Sequence, residues 1–128
     1  MAKNKGSISS QKLKDIIVDA IQEKKGEKIS VLDLRNVENA VSDFFVICQG
    51  NSDTQVKSIA NTIKEETLKI IKEKPFSVEG VQNAEWVLID YVNVVVHIFL
   101  RDLREFYALE ELWGDAKIEE VESTYQEK

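Results

Sequence analysis

The alternation of hydrophobic and polar residues along the chain is clearest in residues 86–100. This run is the longest β-prone stretch, is rich in β-branched and aromatic residues, and is broken once, by the polar Asn93. Because one continuous strand of this length is unusual in a small domain, the pattern predicts a β-hairpin that turns at Val92-Asn93. The predicted cross-strand pairs are Tyr91 with Val94, Ile89 with Val96, Val87 with Ile98, and Trp86 with Phe99.

Side chains alternate across a strand, so this register sorts the hairpin residues onto two faces. One face is apolar and is typical of a sheet surface that packs under helices; it carries Val87, Ile89, Tyr91, Val94, Val96 and Ile98. The other, which we call the mixed face, carries Trp86, Leu88, Asp90, Val95, His97 and Phe99. Aromatic rings beside polar groups are typical of a docking surface. The alternative is a second helical layer over this face, and a β-bulge at the turn would exchange the two sets.

Apolar residues at the helical period predict three helices around the hairpin. They run from Ser9 or Ser10 to Gly26, from residues 50–53 to Pro75, and from Asp102 to Gly114. Two further strands are predicted at residues 29–34 and 44–49, and the second is apolar on both faces, which indicates a central strand. A short strand or turn is expected within residues 76–83. This order of elements predicts an α/β fold with a mixed β-sheet packed with helices.

Length and composition indicate one globular domain. The chain has 128 residues, of which 43% are hydrophobic and 31% are charged. We expect a flexible N-terminus at residues 1–8, one domain at residues 9–115, and an acidic, disordered tail at residues 116–128. The net charge of −6 disfavours extensive contact with nucleic-acid phosphates. With a single cysteine and no apolar signal or membrane segment, the sequence predicts a cytoplasmic protein.

Groups that could perform catalysis or bind a metal are sparse. His97 is the only histidine and cannot form a histidine-pair metal site by itself. The single cysteine, Cys48, lies in the predicted central strand and is interpreted as a core residue. Asp90 is followed two positions later by Val92, so the Asp-x-Asp pair of a metal-dependent nucleotidyltransferase is missing. These observations favour a binding module, with a nucleotidyltransferase-like enzyme or a nucleotide-binding protein as the alternative.

The turn at residues 50–53 also allows two interpretations. A strand, a glycine turn and a helix N-terminus together can bind phosphate. The turn holds one glycine and no Walker lysine, however, and Ser52 and Gln55 have the spacing of a capping box. The pattern therefore favours a helix cap.

Four segments resemble the Iojap family, the bacterial and organellar ribosome silencing factors (RsfS). They are residues 41–52, 55–60, 85–99 and 104–115. The most specific features are Tyr-x-Leu-Glu-x-Leu-Trp at residues 107–113 and the pattern of Trp86, Asp90-Tyr91 and Val96-His97. One departure is the hairpin turn, where Val92-Asn93 replaces the usual Gly-Asp. Asparagine tolerates the positive φ that such turns require, whereas valine disfavours it, so the local sequence opposes the usual turn geometry.

The resemblance implies a nucleotidyltransferase-like fold without catalytic residues, and therefore a protein that is not an enzyme and needs no cofactor or metal. It implies binding to the large ribosomal subunit through ribosomal protein uL14, steric exclusion of the small subunit, and repression of translation, with a related role in ribosome biogenesis. It favours Trp86 as a contact residue over the alternative of a core tryptophan. The expected partner-binding residues are Trp86, Leu88, Asp90, Tyr91, His97, Arg104 and Tyr107. We expect little direct contact with nucleic acid and no membrane contact, and a homodimer off the ribosome is a further alternative.

Overall fold

The computed structural model describes residues 9–101, residue 103 and residues 116–122, and in that part of the chain two helices lie against one sheet. The elements are α1 (Ser10–Glu23), β1 (Glu27–Asp33), β2 (Phe44–Gly50), α2 (Asp53–Ile71), β3 (Ser77–Glu79), β4 (Trp86–Asp90), β5 (Val94–Leu100) and β6 (Lys117–Val121). The strand order is β3-β4-β5-β2-β1-β6, in which β2 and β5 are parallel and the other neighbours are antiparallel. This architecture confirms the predicted α/β fold with a mixed sheet.

Both described helices begin at the serines that the sequence indicates. The Ser9 side chain accepts a hydrogen bond from the backbone N–H of Lys12, and that of Ser52 accepts one from Gln55. These contacts satisfy donors that a helix N-terminus would otherwise leave unpaired. The buried faces of α1 and α2 pack on each other and on one face of the sheet. The predicted third helix lies outside the described residues, apart from Leu103.

The β4–β5 hairpin has the predicted register. Trp86 pairs with Phe99, Val87 with Ile98, and Ile89 with Val96, and the Tyr91 N–H donates to the Val94 carbonyl at 2.9 Å. No β-bulge exchanges the faces, and all six residues of the predicted apolar face belong to the buried core between the sheet and the two helices. The alternation of residues along the chain therefore assigns the hairpin faces correctly.

The hairpin turn at Val92 adopts the positive φ that valine disfavours. Its φ is 78°, and the N–H of Asn93 donates to the carbonyl of Tyr91 at 3.0 Å, which closes a three-residue γ-turn. Two side chains stabilise this turn through hydrogen bonds to its backbone. Asp90 Oδ1 accepts the Val92 N–H at 2.7 Å, and the Ser42 hydroxyl donates to the Val92 carbonyl at 2.9 Å. The surrounding hydrogen bonds thus hold a backbone conformation that the local sequence opposes.

The expectation of a disordered tail from residue 116 is wrong for β6. Lys117–Val121 pairs antiparallel with β1, with Val31 opposite Glu119 and Asp33 opposite Lys117. At its end, the Gln22 side chain on α1 donates to the backbone carbonyl of Glu122 at 2.8 Å. Most β6 side chains are exposed, so its backbone ladder, rather than a hydrophobic face, stabilises it. The folded domain therefore includes residues beyond 115.

Candidate functional site

The mixed face of the hairpin is exposed on one strand and buried on the other. Across the strands, Trp86 lies opposite Phe99, Leu88 opposite His97, and Asp90 opposite Val95. The three residues on β4 are half-buried, whereas the three on β5 are at most 9% exposed. The cause is strand order, because β5 lies between β4 and β2 whereas β4 is one strand from the sheet edge. We call the accessible row of Trp86, Leu88 and Asp90 the β4 strip.

A second apolar cluster covers the buried part of this side of the sheet. Its core consists of Leu32, Leu34, Ile47 and Phe99, and the residues packed against it include Val37, Ala40, Phe45, Trp86, Leu103 and Ala116. Several of these residues come from segments between the regular elements. The prediction of a docking surface and the alternative of a covering layer therefore each describe part of the mixed face. The covering lies over the central strands, and the β4 strip remains accessible.

Trp86 lies at the border between the covered and accessible parts. Its ring centroid is 5.2 Å from that of Phe99 and 6.0 Å from that of His97, and the Phe45 ring lies 4.9 Å from His97 on the other side. The indole Nε1–H of Trp86 donates to Nδ1 of His97 at 3.1 Å. Trp86 is half-buried, so it is neither a sealed core residue nor a freely exposed one. The indole is therefore anchored in the protein and still partly accessible to solvent.

His97 is buried as a neutral imidazole. Desolvation lowers its pKa from 6.5 to about 4. Because Nδ1 accepts the indole proton of Trp86, the single ring proton of the neutral form is on Nε2. That buried Nε2 has no hydrogen-bond partner among the residues that the structure describes. With 4% of its surface exposed, His97 offers almost no area for direct contact with a partner.

Tyr91 does not fit the expectation of a docking residue. It is 6% exposed and lies on the helix-covered face, where its hydroxyl is 2.7 Å from that of Thr67 on α2. Burial raises the pKa of the Tyr91 hydroxyl. The structure therefore brings Trp86, Leu88 and Asp90 together at one surface and places Tyr91 on the opposite face. Arg104 and Tyr107, the remaining expected contacts, lie outside the described residues.

The loop after β2 is organised as a helix cap. Ser52 Oγ accepts the Gln55 N–H at 3.1 Å, and Gln55 Oε1 accepts the N–H of Asn51 at 2.7 Å, one residue earlier than in a regular capping box. The Gln55 amide also donates to the carbonyls of Lys24 and Lys25 at the end of α1. These contacts engage the N–H groups of Asn51 and Gln55 and support the interpretation of the turn as a helix cap. Within the described parts of the chain, no group of three or more His, Cys, Asp or Glu residues could hold a metal ion.

None of the described helices has both the length and the apolar character needed to cross a membrane.

Sequence reasoning did not place Phe45 near the mixed face, although its ring packs beside His97 in the described structure. The signal was present, because β2 is apolar on both of its faces. The parallel register places Phe45 beside Val95 and Ile47 beside His97, so Phe45 flanks the imidazole. That β2 is the neighbour of β5 is a property of the sheet order and is not encoded in the hairpin itself.

Comparison with known proteins identifies the family. The family model described as "Ribosomal silencing factor during starvation", RsfS, matches residues 7–128. Ribosomal silencing factor RsfS of Halalkalibacterium halodurans is 42% identical over 118 residues, which cover 90% of this chain and 97% of that protein. The mouse protein named mitochondrial assembly of ribosomal large subunit protein 1 is 27% identical over 101 residues, covering 77% of this chain and 44% of the relative. A crystal structure from Chromobacterium violaceum superposes with a TM-score of 0.77 at 32% identity, over 84% of this chain and 88% of that one. The resemblance seen in the sequence is thereby confirmed, and the chain belongs to the RsfS family of ribosomal silencing factors.

Proposed function

We propose that this protein is a non-enzymatic ribosome silencing factor that binds the large ribosomal subunit through ribosomal protein uL14. The bound factor excludes the small subunit sterically and so represses translation in the cytoplasm. Family membership supports the silencing role. The name of the mouse relative connects that protein with assembly of the ribosomal large subunit, which supports the choice of subunit.

The observation that carries the proposal is the anchored but accessible position of Trp86 on the β4 strip. Tryptophan is among the residue types most enriched at the energetic hot spots of protein interfaces. Leu88 and Asp90 continue the same row along β4, so an apolar anchor is followed by a carboxylate. Arg104 and Tyr107 extend the proposed contact set beyond the described residues.

The charge of the chain supports a protein partner in preference to ribosomal RNA. A net charge of −6 complements a basic ribosomal protein and is repelled by phosphate backbones. Asp90 adds a carboxylate to the β4 strip itself, at a half-buried position. We therefore expect the affinity to depend on ionic strength through attraction to a basic protein surface.

The test is sedimentation of purified ribosomal subunits with the wild-type protein, Trp86→Ala and Leu68→Ala. Leu68 is an exposed leucine on α2, the helix that covers the opposite face of the sheet, so it serves as a matched control. We expect the wild type and Leu68→Ala to sediment with large subunits and to reduce the fraction of joined ribosomes. Trp86→Ala should bind about 30-fold more weakly, which corresponds to ~2 kcal/mol. Because the indole also packs on Phe99 and His97, this variant should have a lower thermal midpoint, and binding is measured well below that midpoint, where the variant is folded.

Absence of the wild-type protein from the large-subunit peak would overturn the proposed function. Equal binding by Trp86→Ala and the wild type would remove Trp86 from the interface. Cross-linking the bound factor and identifying the linked ribosomal protein tests the choice of uL14 separately. If the factor binds large subunits but joined ribosomes form at the same rate, the steric mechanism is wrong even though the docking is real.

A further inference from the structure

His97 lies where an apolar residue would satisfy the fold better. Its neighbours across the strands are Leu88 on β4 and Ile47 on β2, and the rings of Phe45 and Phe99 flank it. Burial among these side chains leaves the Nε2–H without a partner among the described residues. An unpaired buried donor opposes folding, and a leucine or phenylalanine would carry no such group. The presence of an imidazole here calls for a role other than core packing.

What the imidazole supplies, and an apolar side chain would not, is an acceptor for the indole N–H of Trp86. Tryptophan offers one donor at the edge of a large flat ring, so a hydrogen bond at Nε1 determines which way that ring faces. The 3.1 Å contact to Nδ1 and the 5.2 Å contact between the Trp86 and Phe99 rings hold the indole from two directions. A contact residue that is already oriented loses less conformational freedom when it binds.

We propose that His97 is a positioning residue, which acts through its Nδ1 acceptor to hold the Trp86 indole in the orientation that meets the partner. This inference rests on the proposed function of the β4 strip. It moves His97 from the set of direct contacts to the layer beneath them. It also accounts for the presence of a polar side chain at a buried position of β5.

Two substitutions of His97 distinguish the effect of its hydrogen-bond acceptor from the effect of the space that its ring fills. His97→Leu fills the space but removes the acceptor, whereas His97→Asn places an amide oxygen near the position of Nδ1. Val96→Ala is the control for loss of stability alone, because Val96 is fully buried on the same strand but faces the helices. Trp86→Phe assigns the Trp86 indole signal in spectra of protein labelled with ¹⁵N at its tryptophans.

The first readout is the chemical shift and solvent exchange of the Trp86 indole proton in the free protein. We expect at least tenfold faster exchange in His97→Leu, and recovery to within threefold of the wild type in His97→Asn. Val96→Ala should leave the signal unchanged. An unchanged indole signal in His97→Leu would overturn the inference whatever the binding results are.

The second readout is affinity for purified large subunits. We expect about a tenfold loss in His97→Leu and less than a threefold loss in His97→Asn and Val96→Ala. If the indole is released in His97→Leu but affinity is unchanged, the positioning role is wrong while the docking proposal remains. If Trp86→Ala binds like the wild type, the anchor itself fails, and the inference about His97 fails with it.

Discussion

The hydroxyl groups of Thr67 on α2 and of Tyr91, the residue that follows β4, lie 2.7 Å apart inside the core. This contact joins the helix layer to the strand that carries the candidate site. Tyr91 and Trp86 are five positions apart, and an odd spacing along an extended strand puts two side chains on opposite faces. By keeping Tyr91 under α2, the contact therefore supports the orientation in which Trp86 faces away from the helices.

Tyr91→Phe removes the phenolic hydroxyl from this pair and should lower the free energy of unfolding by about 1 kcal/mol. The loss stays modest because the Thr67 hydroxyl also donates to the carbonyl of Lys64 at 3.3 Å and keeps that partner. Urea denaturation measures the change. In a double-mutant cycle with Thr67→Val we expect the two losses to be less than additive. Full additivity would show that the two hydroxyls are not coupled.

Acidification should destabilise the protein through its one histidine. The unfolded chain binds a proton at His97 near pH 6.5, whereas the folded protein does so only near pH 4, because burial lowers that pKa. Stability is therefore fully present above pH 6.5 and falls by ~1.4 kcal/mol per pH unit as the pH decreases towards 4, which amounts to about 3 kcal/mol. Urea denaturation at intervals from pH 7.5 to 4 measures this slope.

His97→Asn is the control for the pH profile. The two proteins share every carboxyl group, so carboxyl titrations largely cancel in the difference between their profiles. That difference should change mainly between pH 6.5 and 4. Parallel profiles over this interval would mean that His97 keeps an ordinary pKa in the folded protein.

Val92→Gly should stabilise the protein. Val92 has a φ of 78°, which costs a β-branched residue of order 1–3 kcal/mol and costs glycine little. The valine side chain is 59% exposed, so its removal sacrifices little buried area. Glycine also gives the unfolded chain more conformational freedom, which offsets part of this relief. We therefore expect a net increase of about 1 kcal/mol in the free energy of unfolding.

Val41→Gly is the matched comparison for the turn, because Val41 is an exposed valine with a negative φ. This variant should lose stability, since glycine there only adds freedom to the unfolded chain. A loss of similar size in Val92→Gly would contradict the interpretation that the γ-turn is strained.

Gln55→Glu tests the link between the end of α1 and the start of α2. A carboxylate can still accept the N–H of Asn51, but it cannot donate to the carbonyls of Lys24 and Lys25. The carboxylate would also lie near the negative C-terminal end of the α1 dipole, which is unfavourable. We expect this repulsion to be larger than the favourable interaction of the carboxylate with the N-terminal end of α2. We expect a loss of about 1 kcal/mol by urea denaturation. Gln82→Glu, in the exposed loop before β4, makes the same charge change and should be neutral; equal effects would exclude a specific role for Gln55.

The hairpin shows which structural features the local sequence is sufficient to predict. Alternation along residues 86–100 predicted the turn, the cross-strand pairs and both sets of face residues. It could do so because successive side chains of a strand point to opposite faces of the sheet, so the order of residues gives the face of each one. The same reasoning located the serine caps of both described helices. It could not predict that His97 is buried and Leu88 only half-buried, since both belong to the mixed face and differ in which strand lies beside them.

What the sequence determined by itself was the two described helices, strands β1 to β5, the hairpin register and the membership of each hairpin face, because these follow from the local order of polar and apolar residues. What the tertiary structure decided was which parts of the sheet are covered by other residues and which strands distant in the sequence pair with each other. Strand β6 pairs residues about 90 positions apart, such as Ser30 with Glu120, through backbone hydrogen bonds that leave its acidic side chains in solvent. No local hydrophobic pattern marks such a strand. The accessible β4 strip likewise exists because β4 lies beyond β5 in the sheet, and strand order depends on the whole chain.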